Sequence, residues 1–136
     1  MKNFDLGILF ARLGLGVCLF MHGFAKILHG IGGVKSILTK AGLPEIMAYG
    51  SYVGEVIAPI MIILGIFSRV GALLVIGTSL TIMYAYYGLG NLLDLASTGG
   101  FKAEILYLYI ALSLCIIFNG SGKHAIRKDW RDKIQC

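Results

Sequence analysis

The sequence predicts an all-α membrane protein, a four-transmembrane-helix bundle, on three observations. Four apolar runs, at about residues 6–27, 48–67, 70–90 and 103–118, are each on the scale of the roughly 20 residues that carry a helix across a bilayer. The 136-residue chain is 57% hydrophobic and 14% charged, with a mean hydropathy of +0.82, which is too apolar for an ordinary soluble domain. Its few charges are also unusually placed: Arg12 and Glu55 stand inside apolar runs. An ionisable side chain at that depth costs about 2.5–3.5 kcal/mol on insertion scales, so it is expected to be paired. The four runs consume most of the length, and residues 1–136 are read as one domain.

The first run follows Lys2 and superficially suggests a signal peptide, but it exceeds an apolar signal core of about 7–15 residues and contains Arg12. It is read as a retained helix. The loop from about His29 to Met47 places Val34, Ile37, Leu38 and Ala41 at helical spacing, so a short amphipathic helix is expected on the membrane surface. In the second run Gly50, Gly54 and Ala58 recur every four residues, and the first run offers Gly16 and Gly23; small residues so spaced let helix backbones approach closely. A tight turn at Phe67–Val70 joins the second and third runs into an antiparallel hairpin. Gly88, Gly90, Asn91, Gly99 and Gly100 mark a mobile, turn-rich connection before the fourth run.

Orientation follows from the basic residues. One side carries Lys2, Arg69 and the tail residues Lys123, Arg127, Lys128, Arg131 and Lys133; the other carries Lys26, Lys35, Lys40 and Lys102. The first side is assigned to the cytoplasm, giving a multi-pass protein of the cell membrane with N- and C-termini cytoplasmic. The net charge of +5 is accounted for by this retention signal and carries no indication of nucleic acid. Lipid is the expected partner. The three cysteines form neither a CxxC nor a zinc spacing, and Cys18 and Cys115 lie inside apolar runs at mismatched depths, so no disulfide and no metal site is expected.

Two polar layers carry the functional reading. A helical rise of about 1.5 Å per residue puts Arg12 about 12 Å from one face and Glu55 about 13 Å from the other, so within a core of about 30 Å they are expected to pair. Pro59 lacks the N–H that would bond the carbonyl of Glu55, so a kink and a freed acceptor are expected beside the carboxylate. The pair serves either packing alone or exchange with a ligand or proton. Nearer the outer face, His22 and Lys26 share one helical face, and Glu104 opens the fourth helix with Tyr107 three residues on. With Tyr52, these side chains either form interfacial ion pairs or line a cavity suited to a flat amphipathic ligand such as a quinone. Arg12, His22, Lys26, Tyr52, Glu55, Glu104 and Tyr107 are therefore the candidate ligand-binding residues; no catalytic residue is assigned. His22 has no second histidine at its depth, so haem is not expected.

The segments RLGLGVCLFMHGFAKI around Arg12 and His22, GEVIAPIMIILGIFSRVGA around Glu55, FKAEILYLYIAL around Glu104 and the terminal FNGSGKHAI together resemble the DoxX family of small four-helix membrane proteins, over nearly the whole chain. Members of that family are associated with quinone-linked sulfur oxidation, catechol or quinone resistance and oxidative-stress complexes. The resemblance thus implies a redox-related membrane role and maps the family's polar pattern onto Arg12, His22, Gly23, Lys26, Glu55 and Glu104. The tail departs from the pattern: Ser121 stands in a Gly-Pro-Gly-like segment, and Ala125 and Arg127 stand where Ser and Asp are frequent.

Three functions follow. The first is a subunit or small oxidoreductase binding quinone or a similar amphipathic molecule in the outer half of the bundle. The alternative is a non-catalytic assembly partner or chaperone of a membrane complex, presenting its small-residue face to a membrane or redox protein or to a second copy as a homodimer. A small-molecule transporter ranks last, since four helices rarely build alternating access alone.

Overall fold

Residues 2–126 are described by a computed structural model, and over them the chain is all-helical apart from one isolated bridge between Leu95 and Phe101. Three helices are long and apolar enough to cross a membrane. The tail residues Arg127, Lys128, Arg131 and Lys133, part of the charge count above, lie outside the described residues.

The first helix, α1 (Lys2–His29), is 28 residues long, about 42 Å at the helical rise. A short helix, α2 (Gly32–Lys40), follows, with Leu38 buried and its exposed face carrying Ser36 and Lys40, as the spacing of Val34, Ile37 and Leu38 predicts. The second long helix, Glu45–Leu64, is assembled from unlike pieces. A 3₁₀ turn (Glu45–Tyr49) leads into α3 (Gly50–Tyr52), then a π-helical turn (Val53–Ile57), then α4 (Ala58–Leu64). The π turn ends two residues before Pro59, whose ring cannot supply the N–H that α-helical bonding would require there.

The turn at the end of α4 comes earlier than the sequence suggests. Gly65 (φ 74°) and Phe67 (φ 50°) both take left-handed backbone, and α5 (Ser68–Ile82) starts at once, continuing as a second π turn (Met83–Tyr87). The reversal thus occupies residues 65–67 rather than 67–70, because Gly65, Ile66 and Phe67 are apolar enough to resemble helix. The connection from Gly88 to Ala103 is tied down rather than loose: Ala96 N–H donates to Gly100 (2.7 Å), Lys102 N–H to Asp94 (2.9 Å), and the Tyr107 hydroxyl to Leu92 (2.7 Å). The last helix, α6 (Glu104–Asn119), is apolar but only 16 residues long.

α1 and α6 pack on the hairpin of the second and third long helices. The end bearing residues 30–44 and 88–103 is the loop end; the opposite end, with Asp5, Gly65 and Ser121, is the terminal end. The core between them is Leu15, Leu19, Ile62, Val75, Leu106, Ile116 and small residues such as Ala58 and Ala72. The glycines set the close approaches. A Cβ at Gly16 would collide with Ile63, one at Gly23 with the carbonyl of Glu55, and one at Gly54 with the Thr78 hydroxyl. Gly54 and Ala58 are thus used inside the chain, against the third long helix, whereas Gly50 faces open space.

Arg12 and Glu55 do not pair. Arg12 is 1% exposed and closes the terminal end instead: its Nε donates to the carbonyl of Ile62 (2.8 Å), Nη2 to Ile63 (2.8 Å), and Nη1 to Ser121 (2.7 Å) and His124 (3.2 Å). A helix leaves its last four carbonyls without internal partners. At the end of α4 all four are met: Met61 by the N–H of Ile66, Ile62 by Gly65 and Arg12, Ile63 by Arg12, and Leu64 by the N–H of Ile126. The guanidinium also brings positive charge to the negative pole of that helix. The expected pairing fails on length. α1 overshoots the core of about 30 Å assumed for it, and since Gly23 is level with Glu55, Arg12 lies about 16 Å away along the axis.

Candidate functional site

Glu55 is held in the π turn, 2% exposed, with its main-chain carbonyl facing Gly23 of α1. One turn further along α1, Lys26 reaches it: Nζ lies 2.6 Å from Oε1 in the one ion pair recorded for a buried carboxylate among the described residues. The absence of a side chain at Gly23 brings the two helices close enough for this contact. Lys26 is 23% exposed, so the pair is buried on the acid side and open on the amine side. The second carboxylate oxygen, Oε2, is buried and has no hydrogen-bond partner among the described residues.

Two cavities flank this pair, and Lys26, Glu55, Thr78, Ile82 and Tyr86 line both. The larger, about 600 Å³, lies between the second and third long helices under α2; Val34, Ile37 and Leu38 roof it, and Gly50, Leu74 and Gly77 extend its wall. The smaller, about 460 Å³, lies between α1, the third long helix and α6, and is lined by Leu19, His22, Ser79, Tyr87, Leu106 and Tyr109. Volumes of this size match small-molecule sites, which are largely apolar with a few placed polar groups.

The candidate residues separate into three groups. His22, Lys26 and Glu55 come together around the cavities. Tyr52 packs half-buried against Ile31, Leu38 and Ala48 at the loop end and lines neither cavity, and Arg12 is at the opposite end. Glu104 and Tyr107 also lie outside both: Glu104 is exposed and folds over Gly100, while Tyr107 braces the 88–103 connection through Leu92 and an edge-on contact with Phe101. The face that α6 turns inward is Leu106, Tyr109, Ser113 and Ile116.

Thr78 and Ser79 are cavity residues that sequence reasoning passed over, and Tyr86 and Tyr109, two of the tyrosines that fall in the outer half of the bundle, are cavity residues outside the candidate set. A signal for Tyr109 exists in the chain: Ser113, a hydroxyl in an otherwise apolar run, is four residues on, and a polar side chain within such a run belongs on the protected face.

The chain is 29% identical over 124 residues to the Bacillus subtilis (strain 168) protein named "Putative oxidoreductase CatD", covering 88% of this chain and 84% of that one. It is 31% identical over 122 residues to an uncharacterised protein of Haemophilus influenzae, covering 86% and 85%. No solved structure matches. The DoxX family model matches residues 7–88, the stretch that holds most of α1 and the second and third long helices, with Lys26 and Glu55 within it. By that match this all-helical chain with its buried Lys–Glu pair belongs to the DoxX family.

Proposed function

We propose that the protein is a single-domain membrane protein that crosses the bilayer four times, both termini cytoplasmic, and binds a quinone-type amphipathic small molecule beside Lys26 and Glu55 in a redox-related role. The observation that carries the reading is the Lys26–Glu55 ion pair standing in the wall shared by two largely apolar cavities. A flat ring with polar oxygens matches such a place: its faces meet Leu73, Leu74 and Ile82 in the larger cavity or Val75, Ile82 and Leu106 in the smaller, and its oxygens meet the ammonium, Thr78 and the Tyr86 hydroxyl, which both cavities share. His22 and Tyr109, on the smaller cavity, add groups able to exchange protons. The name of the Bacillus subtilis relative is in keeping with redox chemistry. Four crossings are supported by α6, which is apolar over most of its length and packs along α5, although at about 24 Å it is short for a core of about 30 Å.

The test is equilibrium binding of decylubiquinone to the purified protein in lipid nanodiscs. Saturable binding that weakens at least about tenfold in Lys26→Met supports the reading. Binding no greater than to empty discs overturns it. The assembly-partner alternative drew in part on Gly50, Gly54 and Ala58 as an outward surface; Gly54 and Ala58 meet the third long helix instead, which removes that surface.

A further inference from the structure

The two cavities differ in what lines them. Beyond the residues they share, the smaller adds His22, Ser79, Tyr87 and Tyr109, whereas the larger adds mainly carbon, from Val34, Ile37, Met47, Val53, Leu73 and Leu74. Its two further hydroxyls are already engaged: Ser51 donates to the carbonyl of Ala48 and Thr81 to that of Gly77. The larger cavity also opens sideways. The second and third long helices touch where Gly54 meets Thr78, but nothing lies within 4 Å of a Cβ added at Gly50 or Gly77, and Val53 and Leu73 are 39% and 59% exposed. Both helices are apolar and long enough to span a membrane, so in a bilayer this flank meets hydrocarbon rather than water. An apolar slot open to lipid chains takes in a lipid chain.

The roof of the slot sets which lipid that is. Lys35 of α2 reaches Tyr49 at the start of the second long helix: Nζ donates to the phenol oxygen (3.2 Å) and lies 5.0 Å from the ring centroid. Val34 and Gly50, both on the cavity wall, are the chain neighbours of Lys35 and Tyr49, which puts this pair at the cavity's rim. Having accepted from the ammonium, the phenol keeps its own O–H to donate, and the ammonium keeps two further N–H groups. Neither Lys35 nor Lys40 has a carboxylate partner among the described residues, and Glu45 is the single acid between residues 27 and 54. A short amphipathic helix of this charge belongs at headgroup level, where unmatched donors meet phosphate.

We infer that the larger cavity is a site for one anionic glycerophospholipid, whose acyl chain lies in the slot beside Gly77 under α2 and whose phosphate oxygens accept from Lys35 Nζ and the Tyr49 hydroxyl. The loop end is the outer end in the topology proposed above, so the lipid is drawn from the outer leaflet. The inference rests on the membrane placement and not on ring binding; it leaves the smaller cavity, with His22 and Tyr109, to the ring.

The experiment titrates delipidated protein with phosphatidylglycerol and with phosphatidylcholine of the same chains and counts bound lipids by native mass spectrometry. The first phosphatidylglycerol is expected to bind at least about fivefold more tightly than the first phosphatidylcholine, the scale of one basic residue's attraction to anionic lipid. Lys35→Gln is expected to bring that ratio within about twofold, whereas Lys102→Gln, which removes a charge from the same end but away from the cavity, leaves it unchanged. Gly77→Leu fills the slot and is expected to weaken the first phosphatidylglycerol at least about fivefold. On the unaltered protein, a phosphatidylglycerol carrying a photoactivatable carbene source on its chain is expected to label α2 and residues 73–82. Equal affinity for the two lipids, equal losses in Lys35→Gln and Lys102→Gln, undiminished binding in Gly77→Leu, or labelling confined to other segments overturns the inference. Quinone binding is read separately by the nanodisc measurement, so either result can fail while the other stands.

Discussion

Gly23 of α1 lies directly against the main-chain carbonyl of Glu55, and this contact sets the register that lets Lys26 reach the carboxylate. A methyl group at position 23 would meet the Glu55 carbonyl first and the Val56 side chain next, and backbone does not yield as a flexible side chain does. Gly23→Ala is expected to destabilise the fold by about 1–3 kcal/mol, the usual cost of overpacking. Gly14→Ala, with nothing within 4 Å of the added carbon, should change stability little. Thermal unfolding of both variants in one detergent measures the difference; equal stabilities would contradict the close crossing.

The ion pair itself should show strong coupling. Lys26→Met leaves a carboxylate that is 2% exposed without its cation, at an expected cost of about 3–5 kcal/mol, because the Coulombic partner vanishes while the desolvation remains. The double variant Lys26→Met/Glu55→Gln removes the stranded charge and should recover part of the loss. A double-mutant cycle on unfolding in mild detergent reads the coupling, and additive effects of the single changes would show the contact to be energetically idle.

At the terminal end, Arg12 and Gly65 act as one unit. Arg12→Leu strips donors from the carbonyls of Ile62, Ile63 and Ser121 and is expected to cost about 3 kcal/mol or more, whereas Arg12→Lys, with a point ammonium instead of a fork, should retain only part of the contact. Gly65→Ala should be damaging on two counts, since its φ of 74° disfavours a side chain and an added Cβ would lie 2.6 Å from Arg12 Nη2. Unfolding midpoints test all three; ligand affinity per folded molecule should not follow them, because Arg12 lines neither cavity.

On the fourth helix, the two tyrosines nearest the loop end should part company. Tyr107→Phe deletes the hydrogen bond to Leu92 and should cost about 1 kcal/mol in stability without altering quinone affinity. Glu104→Gln should likewise leave affinity unaltered. Tyr109→Phe, on the wall of the smaller cavity, should weaken binding of a ligand seated there. Binding isotherms of the three variants against wild type decide the point.

What the sequence made legible was set by length and composition. The apolar runs, the amphipathic loop helix and the crossing of α1 through Gly16 and Gly23 need only spacing to be seen. Side-chain partnership was less legible, for two reasons. Depth estimates assumed helices cut to bilayer thickness, but α1 runs about 42 Å, and that excess moved Arg12 from Glu55 to the end of α4 and left Lys26 as the acid's partner. Rotation was hidden as well: α6 is apolar on every side, so nothing but Ser113 distinguishes the face of Tyr109 from that of Tyr107, two residues and about 200° apart. The π turn before Pro59 belongs to the same class, since a proline announces a disturbed helix without saying how the backbone absorbs it.

Two of the acceptors that surround the Arg12 guanidinium, the carbonyls of Ser121 and His124, follow it in the chain by 109 and 112 residues. On the ribosome α1 is made and delivered to the membrane long before either exists, so the shell around this cation is completed only as the last segment is synthesised. Closure of the terminal end is therefore a late event in biogenesis, and a nascent chain halted short of Ser121 would display an incompletely solvated arginine to the insertion and degradation machinery.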